Sequence, residues 1–374
     1  MPFCYNPWTN IEVKMDGGIL PCCKYTLSES DPKFNLKSHS FEDYYHSKFL
    51  AEIKKDFVQG QWPSGCESCR LEEQNNIPSK RQLDLDRWSE HYEQYQLDSG
   101  QLLTADLVVG NICNLKCIIC DSYYSSLWRE EYRKIYGIDN ANMRADQIDL
   151  VQVLTKHAPN LIHLDLSGGE TFLSGVPEQK KMLKHYVESG QAANITLHYN
   201  TNVTVFPNEE WWELWSHFKE IDIQLSMDGI QEKFEYIRYP AEWSTVVTHV
   251  EQYVQKEKQL TNVRLSVCYT VSAYNIFYLD EFFSWCYNQG LPEPYLNRVL
   301  NPVHMKPGVW PDKQMIIDRL MKSRYLRVRT WSEIIRNVDD SEHFDEFCRR
   351  LHQHDQYRGV DFKTVFPEMA PYIK

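Results

Sequence analysis

The sequence predicts an α/β protein: a mostly parallel sheet with crossover helices, led by a small cysteine-rich module and followed by a helical tail. Three observations carry this. Six apolar β-type runs alternate with amphipathic segments between residues 103 and 300. Eight of the eleven cysteines fall within the first 120 residues. Beyond residue 312 the β signal stops and only helical patterning remains.

The first stretch, residues 1–100, is rich in turns and polar residues. Residues 10–14 alternate, Asp16, Gly17 and Gly18 form a turn signal, and residues 19–23 return, which predicts a hairpin. Residues 41–56 place Phe41, Tyr44, Phe49 and Ile53 near one helical face. Residues 72–100 are strongly polar and predict a helical linker. The next unit, 101–310, supplies strands at 104–109, 161–166, 195–199, 221–226, 263–271 and 295–300. Helices are expected at 125–136, 145–157, 177–189, 208–219, 278–289 and, as a pair, over 231–256. Strands separated by crossover-length helices call for parallel pairing. Residues 311–374 form the helical extension. No internal repeat or low-complexity tract is visible.

Composition narrows the function. A formal charge of −12 disfavours nucleic acid and anionic lipid as partners. No apolar run approaches the ~20 residues of a membrane span, and the start lacks a signal-peptide pattern. The expected compartment is the cytoplasm, where thiols stay reduced and clustered cysteines read as metal ligands.

The first strand runs into NICNLKCIIC at 111–120, which places Cys113, Cys117 and Cys120 on one loop at a strand's carboxyl end. Structural zinc sites usually pair cysteines twice over to complete four ligands. Three thiolates can instead hold a cubane with one iron left open. The second strand ends in Ser167, Gly168, Gly169 and Glu170. Paired glycines let a backbone approach a ligand closely, and a glutamate can accept from an ammonium. Alone, the pair is also an ordinary tight turn.

These motifs resemble the radical S-adenosylmethionine (SAM) superfamily, with its CxxxCxxC loop after the first strand and GGE after the second. The resemblance implies a partial (β/α)6 radical SAM barrel, a [4Fe–4S] cluster on the three cysteines, and SAM chelating the open iron. It implies that Gly168, Gly169 and Glu170 meet the aminoacyl end of SAM. Asn200 lies in a segment similar to the family's third-strand ending, and Ser226 opens a stretch that looks like its fourth-strand S-x-D-G. Arg238 matches an arginine of the sulfatase-maturase-like branch. Ile119 departs from the pattern, since an aromatic residue usually precedes the third cysteine.

A second set comprises Cys4, Cys22, Cys23, Cys66 and Cys69. An early Cys, a GxxxC hairpin and a CxxC pair resemble the twitch domain, a shortened relative of the SPASM domain, here placed ahead of the barrel. The resemblance implies an auxiliary [4Fe–4S] cluster on Cys4, Cys22, Cys66 and Cys69, with Cys23 in reserve; a structural zinc is the alternative for such spacing. Cys268, Cys286 and Cys348 are expected to be ordinary buried thiols.

The implied activity is formation of a 5′-deoxyadenosyl radical that takes hydrogen from a peptide or protein side chain, with an electron passing to the auxiliary cluster. Dehydrogenation of a small alcohol or sugar-like metabolite is the alternative, and a zinc-bearing, non-catalytic module is the alternative of another class. An electron donor such as flavodoxin or ferredoxin is implied. Near strand ends, His198, Tyr199, Asp228, Arg238, His304 and Lys306 are candidates for touching the substrate.

Overall fold

A computed structural model describes residues 1–74, 78–138 and 149–373. The first residues of the helix expected at 145–157 and a short part of the linker lie outside the described residues.

One eight-stranded sheet organises the chain, in the order β2-β1-β3-β4-β5-β6-β7-β8. The strands are β1 (Asn10–Val13), β2 (Ile19–Leu20), β3 (Thr104–Val108), β4 (His163–Ser167), β5 (Thr196–Thr201), β6 (Glu220–Ser226), β7 (Val263–Val271) and β8 (Tyr295–Arg298). From β3 to β8 each strand pairs in parallel with the next. That order follows from right-handed helical crossovers that add each strand beside its predecessor. The hairpin at the start is not a separate sheet. β1 joins the edge of β3 in parallel, with Asn10 opposite Thr104 and Val13 opposite Leu107, and β2 turns back antiparallel beyond it.

The two faces of the sheet differ in chemistry. On β6, Ile221, Ile223 and Leu225 are fully buried, while Asp222, Gln224 and Ser226 between them are half-exposed. β7 repeats the alternation, with Val263, Leu265, Val267, Tyr269 and Val271 inward against the helices and Ser266, Cys268 and Thr270 on the other face. A period of two thus separates a helix-covered hydrophobic face from a polar face left for other tasks. The helices between strands begin on local signals. Asp149 caps the helix Leu150–His157, and Ser79 forms a capping box with Gln82 ahead of Lys80–Arg87.

The tail is helical as expected, with Lys313–Met321, Leu326–Asn337 and Phe344–Arg358 its longest pieces. The last of these folds back on the segment after β3. Arg358 reaches the carbonyl of Lys116 at 2.7 Å and Glu131 at 2.7 Å, while His354 Nδ1 lies 3.1 Å from Glu131. Among the described residues, no helix is long and apolar enough to cross a membrane.

Candidate functional site

The loop carrying Cys113, Cys117 and Cys120 leaves the carboxyl end of β3, and neighbouring elements fix its path through backbone bonds. Lys116 N–H donates to Tyr239 O and Ile118 N–H to Ile237 O, both at 2.7 Å. The Trp128 indole donates to Cys117 O at 2.8 Å, and Ser125 Oγ donates to Leu115 O at 2.6 Å. The loop is therefore set by groups on at least three other segments, which suits side chains that must converge.

All three thiols are half-buried, and burial raises each pKa, Cys117 up to about 12. Arg238 opposes this rise at Cys117. Its guanidinium pairs with the fully buried Asp228 at 2.7 Å. Asp228 also accepts from Thr270 N–H at 2.7 Å, so Arg238 and Asp228 form a fixed dipole beside the loop. Thiolates bound to a cation would gain from that positive charge.

The Ser167–Glu170 turn meets this loop directly. Glu170 N–H donates to Ile112 O at 2.9 Å. A Cβ on Gly169, whose φ is +27°, would stand 2.3 Å from Ile112 O. On Gly168, at φ +99°, it would stand 2.5 Å from Gly110 O. The glycines were expected to make room for a ligand; the atoms their missing side chains would strike belong to the cysteine loop. They therefore let two backbones touch.

Glu170 is fully buried, and burial lifts its pKa to about 7 against the donors around it. Those donors are Asn202 N–H at 2.7 Å, Thr201 Oγ at 2.9 Å and Phe172 N–H at 3.2 Å. Its carboxylate ties the end of β4 to the end of β5. Asn200 carries the bond from Thr171 Oγ on its carbonyl, at 2.8 Å. Ser226 stands on the polar face, opposite Cys268 in register.

Several expectations change here. Cys286 and Cys348 are buried, but Cys268 is half-exposed on the polar face, where Asp228 and Arg238 influence it. Tyr199 is fully buried among Phe172, Trp211 and Trp215, on the helix-covered face, and cannot touch a substrate on the other. His198 is held by Asp222 at 2.9 Å. His304 is buried, which lowers its pKa to about 4, and Lys306 pairs with Asp340 at 3.3 Å.

Sequence reasoning missed three groups. Asn202 points Nδ2 at Cys113 Sγ (3.8 Å) and at Asn114 Oδ1 (3.1 Å). Its position two residues past Asn200 was the available signal. Glu131 and Arg358 brace the loop from far along the chain, and no local pattern marks them.

The second thiol set converges. Cys4, Cys22, Cys66 and Cys69 line one cavity together with Tyr25, Phe57, Trp62, Lys24 and Arg81. Cys23, beside Cys22, is exposed and does not line it. Lys24 N–H donates to Cys22 Sγ at 3.4 Å, and burial pushes the Cys66 thiol up to about 12. Gly65 is required by packing, because a Cβ there would meet the Tyr25 ring at 2.3 Å. Arg81 donates to Phe3 O at 2.9 Å and pairs with Glu73 at 2.7 Å, which holds the N-terminal segment bearing Cys4 in place. Among the described residues no three thiols, imidazoles or carboxylates stand at metal-binding distance of one another; what fits is the number of thiols, four lining one cavity for a fully thiolate-bound cluster and three on one loop for a cluster with an open iron.

Residues 4–70 match the SPASM family of iron–sulfur cluster-binding domains. That match spans Cys4, Cys22, Cys66 and Cys69. Over 205 residues it is 25% identical to the sporulation killing factor maturation protein SkfB of Bacillus subtilis (strain 168). That alignment covers 52% of this chain and 42% of the relative, so the chain spans less than half of its length. Among solved structures, native anSMEcpe with bound AdoMet overlaps 67% of this chain and 60% of its own, at 18% identity and a TM-score of 0.41. Streptococcus suis SuiB bound to S-adenosylmethionine overlaps 96% and 73%, at 13% identity and a TM-score of 0.40. Scores this low carry no argument about chemistry.

Proposed function

We propose that this chain is a radical SAM enzyme that modifies a peptide or protein side chain and works with two [4Fe–4S] clusters. The observation that carries it is the pairing of two thiol sets, three on one loop at a strand's carboxyl end and four lining one cavity. Residues 1–100, 101–310 and 311–374 are its working units.

Cys113, Cys117 and Cys120 would hold the first cluster, and Cys4, Cys22, Cys66 and Cys69 the second. When bound, the first supplies the electron that opens SAM to a 5′-deoxyadenosyl radical, and the second accepts the electron left after hydrogen is taken from the substrate. Around that chemistry the chain's own groups position and shield. Asn202 orients the Cys113 thiolate. Gly168 and Gly169 seat the turn that presents Ser167 and Glu170. Arg238, fixed by Asp228, offsets the negative charge of the thiolates. Asn200 and Ser226 belong to the polar face on which SAM would lie. A peptide is favoured by the relative SkfB, a sporulation killing factor maturation protein. A reduced flavodoxin or ferredoxin in the cytoplasm would supply electrons.

Anaerobically reconstituted protein, given SAM and dithionite, should release 5′-deoxyadenosine. A preparation with full iron that releases none overturns the reading, and one equivalent of zinc with no sulfide would make the chain a binding module.

A further inference from the structure

We propose that the tip where the helix Lys313–Met321 turns into Leu326–Asn337 is the docking surface for a small acidic electron-carrier protein, which takes up the electron delivered to the second thiol site. This deepens the two-cluster reading above and rests on it. Charge in this stretch runs against the rest of the chain. Between Arg319 and Ser332 stand Arg319, Lys322, Arg324, Arg327 and Arg329, with no acid among them, in a chain of formal charge −12. Of these cations, only Arg327 pairs with a carboxylate among the described residues, Glu293 at 3.0 Å. Arg329 donates to the carbonyls of Ser323 and Arg324 at 2.8 and 3.1 Å, and Arg319 lies over the Phe277 ring. Their charge is left for something outside the fold.

Apolar side chains crowd the same place. Tyr287, at the end of the helix Leu279–Asn288, is 72% exposed and Leu326 is 69% exposed. Met1 apart, these are the most exposed large apolar side chains among the described residues, and Met321 beside them is 49% exposed. Arg324 joins them, its guanidinium 5.7 Å from the Tyr287 ring centre and 4.8 Å from that of Tyr325. An apolar centre with a cationic rim is the make-up of a protein interface. An acidic partner is repelled by most of a −12 chain and drawn only where the sign reverses. The tip residues line neither large cleft, of about 680 and 630 Å³. The end of a helix hairpin is convex, which suits a folded partner rather than an extended segment.

Position indicates what such a partner would exchange. Trp331, five residues or about 7 Å of helix beyond Leu326, lines a small hollow with Leu71 and Glu72 of the helix Glu67–Gln74, which carries Cys69. Arg327 donates to Pro294 O at 3.0 Å, next to Tyr295 in the same hollow. The tip therefore lies one helix away from the second thiol set. Electron balance calls for a partner there. One electron enters to open SAM, and the substrate gives a hydrogen atom to the 5′-deoxyadenosyl radical. The substrate radical then loses a proton to water and an electron to the second site. Before the next turnover, that electron must pass to the oxidised form of a one-electron carrier.

The test is anaerobic bio-layer interferometry of reconstituted full-length protein against purified flavodoxin and, separately, purified ferredoxin. At least one should bind, and raising salt from about 50 to about 300 mM should weaken it roughly tenfold, as screening of facing charges requires. Lys322→Glu with Arg324→Glu should weaken binding roughly tenfold or more at low salt and remove most of the salt dependence. Lys322→Arg with Arg324→Lys, which keeps the charge, should bind nearly as wild type does. Release of 5′-deoxyadenosine under dithionite should be equal in all three, because a small reductant needs no docking surface. That release separates the two failures: none from wild type overturns the radical reading. Full release with neither carrier bound, or with the charge-reversed protein binding as wild type does, overturns this proposal alone. Vesicles of phosphatidylglycerol that bind wild type but not the charge-reversed protein, with carrier binding unaffected, would overturn it in favour of an anionic lipid surface.

Discussion

The two thiol sites solve the same problem by opposite means. The Cys113 loop draws its three ligands from eight consecutive residues and borrows its shape from elsewhere: Tyr239, Ile237, Trp128 and Arg358 all bond to its backbone. The second site draws Cys4, Cys22, Cys66 and Cys69 from three separated stretches and closes them in an apolar cavity. Both have cations at their side, Arg238 at the first and Lys24 and Arg81 among the residues that line the second with Tyr25, Phe57 and Trp62. A site braced from outside can keep one face open to a ligand. A site with four thiols leaves no iron of a cubane without a protein ligand, and suits electron transfer alone.

The largest expected effect breaks the comparison outright. Wild type should reconstitute with about eight iron and eight sulfide, as two cubanes require. Cys113→Ala with Cys117→Ala and Cys120→Ala should halve the iron and abolish release of 5′-deoxyadenosine. Cys66→Ala with Cys69→Ala should also halve it, but leave SAM cleavage and remove only the modified product. Colorimetric iron and sulfide with chromatography of the nucleoside read both; SAM cleavage lost in the second variant would merge two sites held here to be distinct.

External bracing predicts that the first site can be lost without touching a thiol. Glu131 is fully buried and holds Lys116, Arg358 and His354 at 3.0, 2.7 and 3.1 Å. Glu131→Gln takes the charge partner from the buried Arg358 guanidinium and the half-buried Lys116 ammonium, and breaking a buried pair typically costs about 3–5 kcal/mol. Chemical denaturation should show that loss, with iron at the first site falling while the second keeps its complement. A stable variant with full iron would mean that the tail does not brace the loop.

A smaller change probes the same joint from the other side. Gly169→Ala puts a Cβ against Ile112 O at a positive φ. It should displace the cysteine loop and lower iron at the first site, and SAM binding should fall with it. Full iron with weakened SAM binding, by calorimetric titration, would return the glycine to a role in ligand approach.

Much of this was legible in the sequence because it was local. CxxxCxxC, Gly168–Glu170 and the six β-type runs each announce themselves within ten residues, and Val263–Val271 matches its expected bounds. What stayed hidden depends on distance. The choice between Cys22 and Cys23 needed the cavity, which Cys22 lines and Cys23 does not. The hairpin's junction with β3 needed a register that no turn signal encodes. Glu131 and Arg358 lie 227 residues apart. Tyr199 was misplaced for a simpler reason: strand alternation puts it on the face opposite Asn200, a period of two that the motif obscures.

The smallest effect concerns the polar face that both sites border. In register across the sheet stand Glu12, Asp106, Asp165, His198 and Asp222, one from each of five adjacent strands. Burial alone would lower the pKa of His198, but the carboxylates of Asp165 and Asp222 overcome it and hold the value above the ordinary 6.5. A histidine whose folded value is raised stabilises fully below its unfolded value, and that contribution fades as pH rises through the folded one. His198→Gln keeps a donor for Asp222 and removes the titration. It should cost about 1 kcal/mol at pH 6, the order of one charge-assisted bond, and less as pH climbs past the raised value. Urea midpoints of wild type and variant should therefore converge on the alkaline side. Parallel curves from pH 6 to 9 would show that His198 does not change charge in the folded chain over that range.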